Sequence, residues 1–278
     1  MTELQKVEFD ILKECIKIIE KYNLSYFLVC GSALGAVKYQ GFIPWDDDID
    51  IALPRDDYNK FIDYAKKELP ENLFVQHHTT DKYFPLFGSK VRNSNTTYVE
   101  SPHKNILMHH GVFIDVFPLD GCPVEDVDVE RFENTRKKLH RRTVVHTDYP
   151  RFSKGNIKGF RTNLIWLFNR TLGLYDNTSK YVRQLNELFM EFPAKGSVNW
   201  RNYGNSMELN EISPIEQFGS GAWANFEGLK VRVPEKYDEY LTQKYGDWRA
   251  DLPEEEKKGH ELTLGDIEWK VLQTEENA

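Results

Sequence analysis

The segment Gly41–Ala52 reads GFIPWDDDIDIA and sets four carboxylates, Asp46, Asp47, Asp48 and Asp50, within five residues, with apolar residues on both sides. Like charges this close disfavour one another's ionised form unless something positive sits among them. Asp46, Asp48 and Asp50 fit the first, third and fifth positions of an EF-hand calcium loop. The sixth position is then Ile51, where the tight turn needs glycine, and the twelfth is Asp57 in place of a bidentate glutamate, so that reading fails. The apolar flanks argue against a freely solvated acidic loop. Two chemistries stay open on the local pattern. One is the D-x-D of a nucleotide-sugar glycosyltransferase, holding a divalent ion on a diphosphate. The other is the paired-carboxylate site of a nucleotidyltransferase.

The second chemistry makes wider demands, and the sequence carries candidates for each. A helix N-terminus offers free N–H groups and positive potential to a phosphate, and CGSALGAV, with Gly31 and Ser32, follows an apolar strand-like run and opens a helix. Strand residues i and i+2 share a face, so a strand beginning at Asp48 turns Asp48 and Asp50 together and sends Ile49 and Ile51 to the core. Hard cations such as Mg²⁺ take such oxygen ligands. A third carboxylate lets two ions act on the entering and leaving oxygens at phosphorus. Asp115 lies within the otherwise apolar run GVFIDVFPL, where a lone charge is costly unless it is paired or metal-bound. The alternative for Asp115 is a buried salt bridge with an arginine. Asp120, before Gly121, reads as a turn residue.

Asp46 and Asp47 fall in the turn after Pro44, beside Trp45, and shape the site instead of leading it. Lys90 and Arg92 share one strand face and are candidates for donor phosphates or for offsetting the aspartates, against a solvated edge; Lys38 has the same standing. His260 is a candidate site residue, whereas His109 and His110 read as surface. The six Trp and fourteen Tyr could furnish an aromatic cage for a quaternary ammonium, but the sequence does not say which would.

The elements that must position these groups follow from periodicity. Apolar residues at 4, 7, 11, 12, 15, 16, 18 and 19 give a helical period ending at Asn23. Residues 24–30, 48–53, 73–78, 84–92, 96–100 and 111–119 read as strands. Pro54 with Asp56 and Asp57 introduces a helix over 55–68. Residues 125–192 read as helices, then 229–233 as a strand and 234–246 as a helix. The fold class expected is α/β (α+β): a mixed sheet with flanking helices, plus a mainly helical middle and C-terminal portion. The division expected is 1–122 as catalytic core, 123–210 as a helical, basic segment, and 211–278 packing back on the core.

Composition limits the partners. The 278 residues carry a net charge of −8, which points away from nucleic acid. Three widely spaced cysteines without a C-x-x-C fit neither a disulfide framework nor a zinc site; Cys15 and Cys30 read as core. The polar, acidic start is unlike a signal peptide, and no apolar run approaches the roughly 18 residues of a membrane span, so a cytoplasmic location is the default. Arg131 to Arg170 holds eleven Lys/Arg against two Asp/Glu. This is either a solvated helical face or a cationic surface for an anionic lipid or glycan, giving peripheral contact at the inner face of the membrane.

GSALGAVKYQGFIPWDDDIDIALPRDDY followed by GVFIDVFPLD resembles the LicD family, which includes bacterial phosphocholine transferases and fukutin-related enzymes. FEGLKVRVPEKYDEYLTQKYGDWRADLP, with His260 beyond it, is similar to that family's C-terminal region. The likeness covers roughly 24–120 and 215–260. Fifteen residues, Ala33 to Asp47, separate Gly-Ser from Asp48, longer than the generic nucleotidyltransferase pattern and normal for LicD-like sequences.

The resemblance implies a nucleotidyltransferase-like fold. It implies a metal-dependent enzyme that moves phosphocholine from CDP-choline to a sugar hydroxyl of a cell-surface glycan, such as a lipopolysaccharide or teichoic acid, or of its lipid-linked precursor. Glycerol- or ribitol-phosphate from a CDP-polyol, a nucleotide sugar or an NTP are the alternatives. It also implies Mg²⁺ or Mn²⁺, as two ions, at Asp48, Asp50 and Asp115, and donor phosphates at Gly31 and Ser32.

Overall fold

The computed structural model describes residues 1–100, 103, 106–145, 164, 167–168, 171–172, 177–203, 211–257 and 270–271. His260 and most of the basic segment beyond residue 145 lie outside the described residues. The opening helix α1 (Glu3–Lys21) starts at Thr2, whose side chain accepts from the Gln5 N–H while the Gln5 side chain accepts from the Thr2 N–H. This reciprocal cap satisfies two donors the helix would otherwise leave open. The buried stripe of α1 comprises Ile11, Leu12, Cys15, Ile16, Ile18 and Ile19, as its period predicts, but its first members are Gln5 and Glu8; Leu4 and Val7 are only half-buried.

The predicted strand at 24–30 contracts to β1 (Phe27–Leu28). A short helix, α2 (Cys30–Leu34), follows and widens into a π-helical turn at Gly35–Tyr39. The acidic loop leads to β2 (Asp50–Pro54), then α3 (Arg55–Glu68), with the predicted bounds. Asp56 and Asp57 lie in its first turn and Lys66 and Lys67 in its last, both favourable to the helix dipole. β3 (Leu73–Gln76), β4 (Ser89–Asn93), β5 (Thr96–Thr97) and β6 (Val112–Gly121) complete the N-terminal half. The strand expected at 84–92 begins only at Ser89.

The sheet runs in the order β1-β2-β6-β4-β3, with β2 parallel to β6 and the other pairs antiparallel. Parallel neighbours need a long crossover, supplied here by α3, β3 and β4. β6 continues past this core to pair with β7 (Asn199–Arg201), which pairs with β8 (Ile212–Pro214). The main core lies between the sheet, α1 and α3; Ile49, Ile51, Val91, Ile114 and Val116 have no exposed surface. A second cluster, around Phe87, Phe132, Val182, Leu185 and Phe189, joins α4 (Asp126–Val145) to α5 (Thr178–Phe189). The C-terminal portion contributes α6 (Ile215–Phe218), the hairpin β9 (Ala222–Phe226)–β10 (Leu229–Val233) and α7 (Tyr237–Tyr245); β11 (Lys270–Val271) pairs with β5. The architecture is the mixed α/β fold expected. No helix among the described residues is long and apolar enough to cross a membrane.

Three expectations change. Asp120 is no turn residue: it lies buried in β6 and accepts two hydrogen bonds from Arg55, at 2.6 and 2.5 Å. The register explains this, because Pro54 is opposite Leu119 and the next residue on each strand is then Arg55 and Asp120. His109 and His110 are half-buried, not surface; His109 stacks on Phe74 at 5.0 Å and accepts from the Gly111 N–H. The described part of the basic run is partly internal, since Arg136 is buried and, like Arg201, is paired with Glu133.

Removing one partner of a buried ion pair strands the other charge, at about 3–5 kcal/mol. Asp120→Ala is therefore expected to lose about that much stability in chemical denaturation, with Arg55→Ala similar and the double variant well short of the sum.

Candidate active site

The parallel register of β2 with β6, and the antiparallel register of β6 with β4, place Asp50, Asp115 and Lys90 side by side across three strands. Asp48 precedes β2, whose regular pairing starts two residues later than the expected strand, yet the alternation holds: Ile49 and Ile51 are fully buried on the other side. Asp48, Asp50 and Asp115 each offer a carboxylate oxygen, all within 4.8 Å of one another. The Lys90 ammonium lies 3.0 Å from Asp115 and 3.5 Å from Glu100, and 3.3 Å from the centre of the Phe113 ring. One cation is thus divided between two acids.

The electrostatics follow from that shortage. Burial, then Asp48 and Asp115, holds the Asp50 carboxyl well above the ordinary carboxylate range, with Lys90 opposing. Asp115 is also raised, by burial first, although Lys90 works against it. Glu100 behaves oppositely: burial would raise it, but Lys90, His103 and Arg92 outweigh burial and hold it well below its usual value. Arg92 is fully buried. Its guanidinium donates to the Gly111 carbonyl at 2.6 Å, to Glu100 at 3.1 Å and to the Gln76 side-chain oxygen. It is held beneath the site by these contacts, neither at a solvated edge nor facing the cavity.

The loop before β2 is pinned from several directions. The Ser32 hydroxyl accepts from the Asp50 N–H at 2.8 Å and is buried, so Ser32 ties α2 to the strand, while Gly31 lines the adjoining cavity. A side chain on Gly31 would sit 2.7 Å from an Asp46 carboxylate oxygen; glycine here permits that close approach. Cys30 takes the left-handed conformation, φ 52°, with its N–H bonded to the Tyr240 hydroxyl. The Gln5 amide donates to the Asp46 carbonyl at 2.8 Å, and the Tyr98 hydroxyl lies 3.4 Å from Asp47.

Beside the aspartates is a cavity of about 440 Å³, within the range of small-molecule sites. Asp46, Asp48 and Asp50 line it together with Lys38, Tyr39 and Trp45 from the N-terminal half, and Tyr245, Asp247 and Trp248 line it from the C-terminal portion. Tyr39 and Trp45 meet edge to face at 6.1 Å. Lys38 donates to the carbonyls of Trp248 and Ala250, at 3.2 and 2.7 Å, clasping this last wall to the π-helical turn. Of the sequence candidates, Asp48, Asp50, Asp115 and Lys90 converge, and Gly31, Lys38 and Trp45 line the cavity. Asp47 stands beside it against Tyr98, Ser32 and Arg92 support from behind, and His260 lies outside the described residues.

Sequence reasoning missed Glu8, Glu100 and the Tyr245–Trp248 wall. Glu8 is 2% exposed, and its Oε2 has no hydrogen-bond partner. Its carboxyl is raised well above the usual value, by burial first and then by Asp48, Asp47 and Asp46. A signal existed: Glu8 falls on the apolar stripe of Ile11, Leu12 and Cys15, where a charge is out of place.

These residues fit a divalent metal. The donors are hard carboxylate oxygens, and one from each of the three aspartates lies within 4.8 Å of the others.

A mixed sheet carrying paired aspartates after a Gly-Ser turn, with a third on the adjacent parallel strand, defines a nucleotidyltransferase-type domain. Residues 23–118 match the family described as LicD/FKTN/FKRP, nucleotidyltransferase domain. The chain is 28% identical over 276 residues to the lipopolysaccharide cholinephosphotransferase LicD of Haemophilus influenzae, covering 94% of this chain and 96% of that protein. A 49-residue stretch is 39% identical to the uncharacterized proteins RP689 of Rickettsia prowazekii and RT0683 of Rickettsia typhi, covering 18% of this chain and 18% and 16% of theirs.

Asp50 and Asp115 are protonated more readily folded than unfolded. Their contribution to stability is complete below the unfolded carboxylate range, near pH 4, and is lost as pH rises through their folded values. In chelator at pH 7, Asp50→Asn is expected to melt at a higher temperature than the wild type. Added Mg²⁺ should raise the wild-type melting temperature and leave the variant's unchanged.

Proposed function

We propose that this protein transfers an alcohol phosphate, phosphocholine before others, from a CDP-activated donor to a sugar hydroxyl of a cell-surface glycan or its lipid-linked precursor. The observation that carries the reading is the convergence of Asp48, Asp50 and Asp115, two of which, Asp48 and Asp50, line a cavity sized for a small molecule. The likeness to a cholinephosphotransferase along nearly the whole chain supports a transferase and favours choline over glycerol or ribitol.

In this reading the three aspartates hold Mg²⁺ or Mn²⁺. Divalent ions bound there would supply charge neutralisation for the diphosphate and the departing CMP. The chain's own residues do the rest. Gly31, with Asp46 packed against it, presents its backbone at the cavity wall, and Lys90 offsets charge on Asp115. Trp45 and Tyr39 give the cavity an aromatic flank, and Tyr245, Asp247 and Trp248 limit water on the far side. An acceptor hydroxyl attacks the phosphorus bearing the alcohol, in line with the leaving oxygen. Positioning and charge stabilisation dominate such transfers.

Thermal stabilisation in the presence of Mg²⁺ tests the donor. CDP-choline should raise the melting temperature, whereas UDP-sugars and NTPs should not; a shift with only the latter two would sink the reading. Asp48→Ala and Asp115→Ala are expected to lower transfer by at least about 10³-fold, in keeping with loss of a major electrostatic contribution, while circular dichroism shows the fold retained.

A further inference from the structure

The N-terminal helix brings a fourth acid to the aspartates that neither the sequence pattern nor the proposed mechanism uses. Gln5 and Glu8, one turn apart on α1, are 3% and 2% exposed. They occupy the helix stripe that, further along, is filled by Ile11, Leu12 and Cys15. Gln5 is accounted for: it caps the helix and holds the Asp46 carbonyl. Glu8 is not. Its Oε2 is sealed from solvent with no hydrogen-bond partner, and the charges that act on it come from Asp48, Asp47, Asp46 and Asp115. Among the described residues, the buried Arg92 and Lys90 bond to Glu100 and Asp115, and Lys244 to Glu211.

A buried carboxyl with an unsatisfied oxygen costs roughly 1–3 kcal/mol, more if charged. An apolar residue at position 8 would continue the stripe at no such cost. The cost is recovered if a cation enters among the acids.

We propose that Glu8 is a supporting carboxylate of the divalent-cation site, placed by the N-terminal helix behind the acidic loop that Gln5 holds and outside the group that Asp48, Asp50 and Asp115 form. The proposal rests on the metal reading of those three residues. Helix α1 thereby acts as part of the site: Gln5 fixes the loop that carries the aspartates and Glu8 adds a buried negative charge behind it. It also reaches beyond residues 23–118, so the cation site draws on chain outside the conserved domain match.

The test is Mn²⁺ binding to the full-length chain, followed by calorimetry and by the electron paramagnetic resonance of the free ion, for the wild type, Glu8→Gln, Glu8→Asp and Asp115→Asn. Glu8→Gln keeps the shape and removes the charge. It is expected to weaken Mn²⁺ binding by about 10–100-fold, the range for residues that support a metal site, or to remove one equivalent of bound ion. In chelator its melting temperature should equal or exceed the wild type's, because a buried acid has been removed. Glu8→Asp keeps the charge but shortens the reach by one methylene; it should weaken binding as well, and it decides the matter if Glu8→Gln does not fold.

Wild-type affinity and stoichiometry in both Glu8 variants, with Mn²⁺ lost in Asp115→Asn, would overturn the role of Glu8 and leave the three-aspartate site standing. No Mn²⁺ binding by the wild type would overturn the metal reading itself, and Glu8 with it.

Discussion

The parallel pairing of β2 with β6 is the constraint on which the site depends. It fixes Asp50 opposite Asp115 and Arg55 beside Asp120, so one strand pair carries two acid arrangements with opposite outcomes. At Asp120 the acid has its own guanidinium and the charges close on themselves. At Asp115 the acid meets two more carboxylates and shares a single lysine with Glu100. The first arrangement ties the start of α3 to β6, and breaking it would strand a buried charge. The second stores negative potential beside a cavity that Asp48 and Asp50 line, where it favours a positively charged guest. A one-residue slip of this pairing would send the aspartates into the core and the isoleucines to the cavity; the fully buried Ile49, Ile51, Ile114 and Val116 oppose that slip.

Around this row the chain assembles walls from distant segments. The conserved domain match ends at residue 118, but the cavity is closed by Tyr245, Asp247 and Trp248, and α1 underlies the acidic loop from the other end of the sequence. Likeness to the Haemophilus influenzae protein extends over nearly the whole chain, as expected if these outer segments belong to the working unit. Where the domain ends by sequence likeness and where the site ends in space are different places.

Much of this was legible beforehand, for identifiable reasons. Alternation of aspartate with isoleucine reported the two faces of β2, and a charge inside an apolar run marked Asp115. Pro54 and its acidic followers gave α3 its start. What escaped depends on pairing between segments. Asp120 resembled a turn residue because Gly121 follows it, and only the register reveals Arg55 at its side. Arg92 had the composition of an exposed strand edge until β6 and Glu100 covered it. Glu8 was visible as a misplaced charge on a helical stripe, but its meaning required knowing that the stripe ends under the aspartates. The wall at Tyr245–Trp248 had no local signature, since its place is set by Lys38, more than two hundred residues earlier.

That clasp has a consequence for the order in which the protein is made. Chains fold from the N-terminus as they are synthesised, and every residue of the Asp50–Asp115–Lys90 row has been made by residue 115. The carbonyls that Lys38 grips belong to Trp248 and Ala250. From residue 115 to residue 248 the nascent protein therefore holds the residues of the acidic row without this wall. The cavity gains its last wall only once residues 245–250 have been made, and until then the Lys38 ammonium is a latch without its catch.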